Sequence, residues 1–577
     1  MSMSNDVNDT NNRRTTEALP ARPLATDDSL AAIDDPAQLG TVFFSGIGGS
    51  GMSVLACMLH QFGVPVAGSD RVESSSTRQL ENLGIPVTIG QKANNVDDVD
   101  TVVWSSAIPA NALEMLEARH LRKRLAHRSD ILALLLRVQH SIAVAGTHGK
   151  TTTSSLIATI LQTTGKEPSF AIGGSLKTLD GIVSGGHVGT GQWIVAEADE
   201  SDGSFRKYRP TIVVITNAEG DHLDHYGTIA RYRAAFKSFA GQAQQAIVLC
   251  GDDEGAREVY NHLPQDVVDR TIVYATTPFD ELSALMPGLD ASRFAFVGSA
   301  SEISVSNDCH RQELEDATIT AMDSNRNVIV DEGIQETFAL VMPPALLNGD
   351  ALTLDVSLKV PGIHNARNAS AAILASVLTG VDPIQAAAGA VTFLGTARRF
   401  DFQGNVGGVR LYTDYAHHPT EIATFLSAIR RRFPGATVRV LFQPHTYSRT
   451  RTFAAELVDA LSQADAVYLS RLYAARENAS DYPGVSSQTL IEEAKHCGVG
   501  DRFVLINDKS AAALTMARDA RPGDILATVG GGDINLVDPL ILQELRRLEE
   551  QRAAQRAAHL LRSGTAEQSM SNAEKRR

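Results

Sequence analysis

Two kinds of stretch in this chain carry residue types suited to phosphate chemistry. In "SIAVAGTHGKTTTSSLIATIL" an apolar run enters Gly146, Thr147, His148, Gly149, Lys150, Thr151 and Thr152 and passes directly into a helix-like run. Glycines let backbone amides close on phosphate oxygens, and a helix start adds partial positive charge. Lys150 is placed to reach the β- and γ-phosphates of a nucleoside triphosphate, and the Thr151 hydroxyl to ligate Mg²⁺. Val144 stands where the first glycine of the usual pattern would fall. The reading therefore rests on strand, loop, Lys-Thr pair and helix occurring together. A triphosphate needs a metal, and a metal needs carboxylates. "EADESDGSF" supplies Glu197, Asp199, Glu200 and Asp202, and "TNAEGDHLDHYG" supplies Glu219, Asp221, His222, Asp224 and His225. Both follow strand-like runs, so in a parallel sheet they reach the same edge as the phosphate loop. Hard oxygens with one imidazole suit Mg²⁺ or Mn²⁺.

The second kind of stretch is "TVFFSGIGGSGMSVLACMLHQFGVPVAGSD", with Gly46, Gly48 and Gly51 between a strand-like and a helix-like run and Asp70 ending the next strand. This is the layout of a dinucleotide fold. Taken alone it fits a nicotinamide or flavin cofactor and hydride transfer as well as any other diphosphate.

The elements around these loops alternate strand and helix three times over. Strands are expected at Val42–Phe44, Val64–Ala67 and Val102–Trp104, then in a second series from about residue 140, then in a third after "GTARRFD", with "VRLYTDYA", "TVRVLFQP", "DAVYLSRLY", "RFVLI" and "DILATVGGG". The fold class is therefore α/β with parallel sheets. The expected divisions are a disordered polar leader at 1–35, a first Rossmann-like domain at 36–138, a central P-loop ATPase-like domain at 139–394, a third Rossmann-like domain at 395–545, and a helical, polar tail at 546–577. Residues 255–350 read as irregular insertions or peripheral strands.

With 577 residues, 43% apolar content and a net charge of -15, a general nucleic-acid binder is disfavoured, while a local anion pocket is not. Four scattered cysteines suit a reducing compartment. The first residues lack the apolar core of a signal peptide, and no apolar run is long enough to span a bilayer. The expectation is a cytoplasmic protein, monomeric or dimeric, that contacts neither membrane nor nucleic acid.

The chain resembles the Mur ligases. The blocks that carry the resemblance are "GIGGSGMS", "WSSAIP", "AGTHGKTTT", "EADESDGSF", "TNAEGDHLDHY", "PGIHNARNA", "RRFDF", "DYAHHPTE" and "FQPHTYSRT", in family order. The resemblance implies an ATP- and Mg²⁺-dependent ligase of peptidoglycan precursor synthesis. It would join L-alanine to the carboxylate of UDP-N-acetylmuramate through an acyl phosphate. The alternative is a recycling ligase that adds a preformed peptide to the same sugar. In this family the first glycine loop holds a UDP-sugar diphosphate, so Gly46, Gly48, Gly49, Ser50 and Gly51 become substrate contacts, with Asp70, Ser105 and Ser106 in the same pocket. Lys150 stabilises the transferring phosphoryl group. Thr151 and Glu197 hold the metal, and His222 ligates a second metal or stabilises the acyl phosphate. Asn365, Asn368 and Asp414 contact the nucleotide, and Arg399 is a hinge-region arginine acting in catalysis. His417, His418, His445, Arg449 and Arg451 face the amino acid and the phosphates. Some members carry a carbamylated lysine after a "YRAA"-like stretch, but here Phe236 stands at that position and Lys237 one step on. A hinge near 395–399 is expected to let the third domain swing in.

Overall fold

Near-continuous apolar runs such as Val42–Ser45 and Ile212–Ile215 are buried along their whole length. That is the pattern of strands covered by helices on both faces. The computed structural model describes residues 30, 32–178, 181–299, 310–312, 335–347, 352–475 and 477–574.

The first sheet has five parallel strands in the spatial order Val87–Ile89, Val66–Asp70, Val42–Ser45, Thr101–Trp104 and Arg124–His127. The strand expected at Val64–Ala67 lies two residues further on, at Val66–Asp70. That shift puts Asp70 at its end, beside the glycine turn. The sheet's central strand feeds the helix Ser50–Gln61.

The middle sheet holds 11 described strands. The strand His140–Ala145 runs parallel between Trp193–Glu197 and Ile212–Ile215. The C-terminal ends of these three strands carry the phosphate loop and the two acidic stretches. Parallel pairing continues through Ala246–Cys250, Thr271–Ala275 and Phe294–Gly298, an antiparallel pair, Glu336–Val341 and Leu352–Leu358, follows, and the short strand His310–Gln312 pairs parallel at the edge. The expectation of irregular insertions over 255–350 is thus corrected for its first part, where helix Glu254–Asn261 and two further strands extend the sheet. Its polar surface hid the short buried runs. Much of the remainder lies outside the described residues.

The third sheet has six strands in the order Asp401–Val406, Val409–Asp414, Ile525–Val529, Val438–Phe442, Ala466–Leu469 and Phe503–Leu505. Its first pair is antiparallel and the others parallel. A helix Asp538–Glu574 crosses the expected boundary at 545 without a break, because Ile541 and Leu545 are buried against this sheet.

Most of the expected leader lies outside the described residues. Its end does not fit a disordered segment. Leu30 and Ile33 are buried, and Arg137 donates to both of their carbonyls at 3.4 and 3.0 Å. One core cluster runs from these residues through the first sheet into the middle one. The two sheets therefore share apolar packing, whereas the third sheet has its own core. No described helix is long and apolar enough to cross a membrane.

Candidate active site

The phosphate loop takes its shape from backbone conformations that only glycine adopts cheaply. Gly146 has φ +152° and Gly149 has φ +84°. A Cβ on Gly146 would stand 2.0 Å from Thr216 Oγ1, and one on Gly149 would stand 2.8 Å from Asn368 Oδ1. Gly149 caps the helix Lys150–Thr163, whose first amides have no carbonyl partner within the helix. Thr147 is tied down through its hydroxyl, which donates to Glu219 O at 2.6 Å.

Lys150 does not project into open space. Its ammonium donates to Gly146 O at 2.5 Å and Thr147 O at 3.2 Å, and pairs with Glu200 at 2.8 Å. Burial alone would discharge it, but Glu200 and Asp199 outweigh that and hold its pKa above the ordinary lysine value. Glu200 is 1% exposed, and its pairing with the lysine, rather than with a metal, is the site's main departure from the expected roles. It is one of four carboxylates in "EADESDGSF", and only the path of the loop selects which one meets the lysine. Glu197 accepts the Gly173 N–H at 3.0 Å and is bonded to Thr151. His222 has φ +50°, and its Nε2 lies 3.6 Å from Asp221 and 4.0 Å from Glu200.

His148 bridges two sheets. Its Nε2 meets Glu219 at 3.1 Å, and its Nδ1 meets Glu421, at the start of helix Pro419–Arg432 of the third domain, at 3.2 Å. Burial works against its charge, yet the two carboxylates raise its pKa to about 9. His148, Glu219 and His418 are close enough to share a metal ion. In this structure His148 lies between Glu219 and Glu421, which favour its charged form.

The third sheet closes the other side. Its strand Val409–Asp414 ends at Asp414, which accepts from the Phe400 and Ala416 amides, both at 2.7 Å. Burial raises the Asp414 pKa to about 6. Arg399 lies 3.4 Å from Glu421. Arg449 grips both oxygens of Asp221 at 3.1 and 3.0 Å, so this expected substrate arginine is already engaged across the domain boundary. His417 donates from Nδ1 to Tyr415 O at 2.9 Å, and burial lowers its pKa to about 4. It faces His445, with ring centroids 5.1 Å apart.

Two cavities run through this region. The larger, about 630 Å³, brings Ser50 and Gly51 of the first glycine loop together with Lys150, Glu197, His222, Arg399, His417, His418, His445 and Arg449. The smaller, about 280 Å³, is lined by Gly149, Thr151, Thr152, Asn365, Asn368 and Asp414. His148, Thr151, Arg399 and Glu421 line both. Asn365 and Asn368 sit on one face of helix Ile363–Val377, buried and 3.4 Å apart.

Residues 41–140 match the description "Mur ligase family, catalytic domain", residues 144–286 "Mur ligase middle domain" and residues 398–532 "Mur ligase, glutamate ligase domain". The chain belongs to the Mur ligase family. A Mur ligase of Bifidobacterium longum named UDP-N-acetylmuramate–L-alanine ligase is 45% identical over 92% of this chain and 99% of its own. One of the same name from Thermobifida fusca is 39% identical over 88% and 97%. Among solved structures, a UDP-N-acetylmuramate–alanine ligase of Thermotoga maritima superposes with TM-score 0.64 at 24% identity, covering 89% of this chain and 99% of that one. A murein peptide ligase of Psychrobacter arcticus gives 0.62 at 21%, covering 88% and 99%. At these identities the structures show the fold alone.

For this Mur ligase, several expected contacts are placed elsewhere. Gly46, Gly48 and Gly49 do not line the larger cavity. The Gly48 amide is spent on Asp70 Oδ2 at 2.9 Å and the Gly49 amide on Gly46 O at 3.2 Å. These three glycines and Asp70 shape the turn, and Ser50 and Gly51 present the helix start to the cavity. Ser105 is buried outside it, and exposed Ser106 donates to Asp202 at 3.1 Å. Arg451 is exposed and lies over the Tyr482 ring at 5.0 Å, outside both cavities. Two positions along helix Tyr447–Thr452 turn a side chain by about 200°, so Arg451 points away from the face of Arg449, which a motif cannot show. Phe236 is fully buried and Lys237, about 100° further round the same helix, is exposed, so neither offers a carbamate to the site.

Proposed function

We propose that this chain is an ATP-dependent ligase that joins L-alanine to the lactyl carboxylate of UDP-N-acetylmuramate, in the reducing cytoplasm where its precursors are made. The observation that carries the reading is the larger cavity, in which the first glycine loop, the phosphate loop and the histidine–arginine wall of the third sheet meet. The name shared by relatives at 45% identity supplies the substrates.

The carboxylate oxygen attacks the γ-phosphorus of ATP and ADP leaves. The amine then attacks the acyl carbon and phosphate leaves. Two anions must approach, so cations dominate the site. Lys150 supplies one when it exchanges the Gly146 and Thr147 carbonyls for phosphate oxygens. Protonated His148 keeps a second positive group in the same loop. Asn365, Asn368 and Asp414 line the smaller cavity, where the nucleoside fits. The half-buried oxygens of Thr151 and Glu197, with the imidazole of His222, fit Mg²⁺ or Mn²⁺. A metal bound there would neutralise charge between the two anions. His417 donates from Nδ1, which leaves its lone pair on Nε2, and its lowered pKa keeps it neutral. It can therefore accept a hydrogen bond through Nε2 from the incoming amine and orient it.

The test is phosphate release with ATP, Mg²⁺ and UDP-N-acetylmuramate, with amino acids added singly. Release that requires L-alanine is expected. Release that needs a short peptide instead would point to the recycling activity, and release with neither would overturn the assignment.

A further inference from the structure

Five arginine and lysine side chains line the larger cavity among the described residues: Arg128, Lys150, Arg398, Arg399 and Arg449. Four have engagements within the middle and third sheets. Lys150 is held by Glu200, Arg449 by Asp221 and Arg399 by Glu421. Arg398 donates to the Gly530 and Gly532 carbonyls at 2.8 and 2.9 Å. Arg128 differs in place and in what it leaves open. It begins the helix Arg128–Val138 of the first domain. Its Nη2 reaches across to Asp199 at 2.6 Å and Asp202 at 3.5 Å. Its Nη1 has no hydrogen-bond partner among the described residues and comes within 3.2 Å of where a Cβ on Gly51 would stand. The guanidinium therefore lies against the start of helix Ser50–Gln61, at the part of the glycine loop that faces the cavity.

We propose that Arg128 binds the diphosphate of the UDP-sugar substrate, with Asp199 and Asp202 holding its other nitrogen in place. This rests on the function proposed above and adds a residue to it. The loop alone is a weak diphosphate site, since the Gly48 and Gly49 amides are spent internally. A helix start contributes a fraction of a charge, whereas a diphosphate brings full ones. A planar guanidinium can hold a carboxylate on one edge and a phosphate oxygen on the other, which an ammonium on a flexible stem does not reproduce. The geometry also explains the third glycine of the motif. A Cβ at residue 51 would press on Arg128 Nη1 at 3.2 Å and push the guanidinium back from the helix start. The position is legible only in the fold, because "HRSDILALLL" carries no phosphate-binding pattern.

The experiment compares wild type, Arg128→Ala, Arg128→Lys and Lys207→Ala. Lys207 makes another bridge between the first two domains, to Asp130 at 2.7 Å, and does not line the cavity. It reports what a lost strut does. For Arg128→Ala, the KM for UDP-N-acetylmuramate and the inhibition constant of UDP against it should both rise about tenfold or more, the loss expected for a charged hydrogen bond. The KM for ATP and the saturated kcat should stay within about threefold, and Lys207→Ala should leave all four quantities unchanged. Arg128→Lys keeps the charge and should still lose about threefold or more in both UDP terms. It decides the matter if the alanine variant does not fold. Unchanged UDP inhibition in the variants would overturn the proposal and leave Arg128 a strut. Loss toward UDP-N-acetylmuramate without loss toward UDP would overturn it in favour of a contact to the carboxylate. If wild type neither turns over UDP-N-acetylmuramate nor is inhibited by UDP, the function reading itself falls, a result distinct from both.

Discussion

At the scale of single residues, the site is a set of charges held against burial. Lys150 meets Glu200 and two carbonyls in the place where phosphate oxygens are expected, so the loop is kept in shape before a nucleotide arrives. Lys150→Ala should retain the circular dichroism of the parent and lose roughly 10²–10³ in kcat, the scale seen when one transition-state charge donor is removed. Glu200→Gln tests the other half of the pair. It leaves the ammonium buried with a neutral partner, and the thermal midpoint should fall measurably. His148 gives a signed dependence on pH. Its pKa is raised from 6.5 to about 9, so the stability it contributes is complete below pH 6.5 and is lost as pH rises through about 9. Denaturant titrations across that window should show the parent losing stability and His148→Gln losing less. Parallel slopes in the two proteins would mean that the Glu219–His148–Glu421 bridge is worth nothing in solution.

Elements set where those charges stand. The strand His140–Ala145 is interior to its sheet, and its end, the glycine turn and the helix Lys150–Thr163 form one unit. Gly146→Ala would drive a Cβ to within 2.0 Å of Thr216 Oγ1 at a φ of +152°. It should cost about 2–3 kcal/mol of stability and abolish nucleotide-dependent protection. Gly165→Ala offers the comparison. Its φ is +71° and nothing lies within 4 Å of the new Cβ, so backbone strain alone should cost about 1 kcal/mol. Equal costs in urea unfolding would show that the contact with Thr216 does not matter.

At the scale of the whole molecule, the third domain touches the middle one through Arg449 and Asp221, Thr420 and Glu219, and His148 and Glu421. The link between the domains has positive φ at Gly395, Arg398 and Phe400 and is clamped by a buried Lys177–Asp401 pair. These contacts hold the third domain against the middle one, and shelter from water is what an acyl phosphate would need there. Arg449→Ala leaves Asp221 buried without its partner, a loss of about 3 kcal/mol or more. It should enlarge the radius of gyration in small-angle scattering, with ATP and UDP-N-acetylmuramate partly restoring it. A radius that neither the substitution nor the ligands change would rule out hinged closure at 395–399.

What the sequence determined by itself was the set of local devices. Glycine turns, the Lys-Thr pair, strand-end acids and the rhythm of apolar runs are properties of a few neighbouring residues, and they specify three α/β units and the kind of anion each loop meets. Tertiary structure alone decided which members of each device act. Glu200 rather than its neighbours meets Lys150, Arg449 enters the cavity while Arg451 stays on the surface, and Gly48 spends its amide on Asp70. Arg128, from a helix with no motif, faces the glycine loop. Each of these depends on the direction of one side chain at the end of an element, and that direction follows from packing against residues far away in the chain. Local pattern reports the period of a strand or helix, and only the assembled sheets fix which face of that period looks into the cavity.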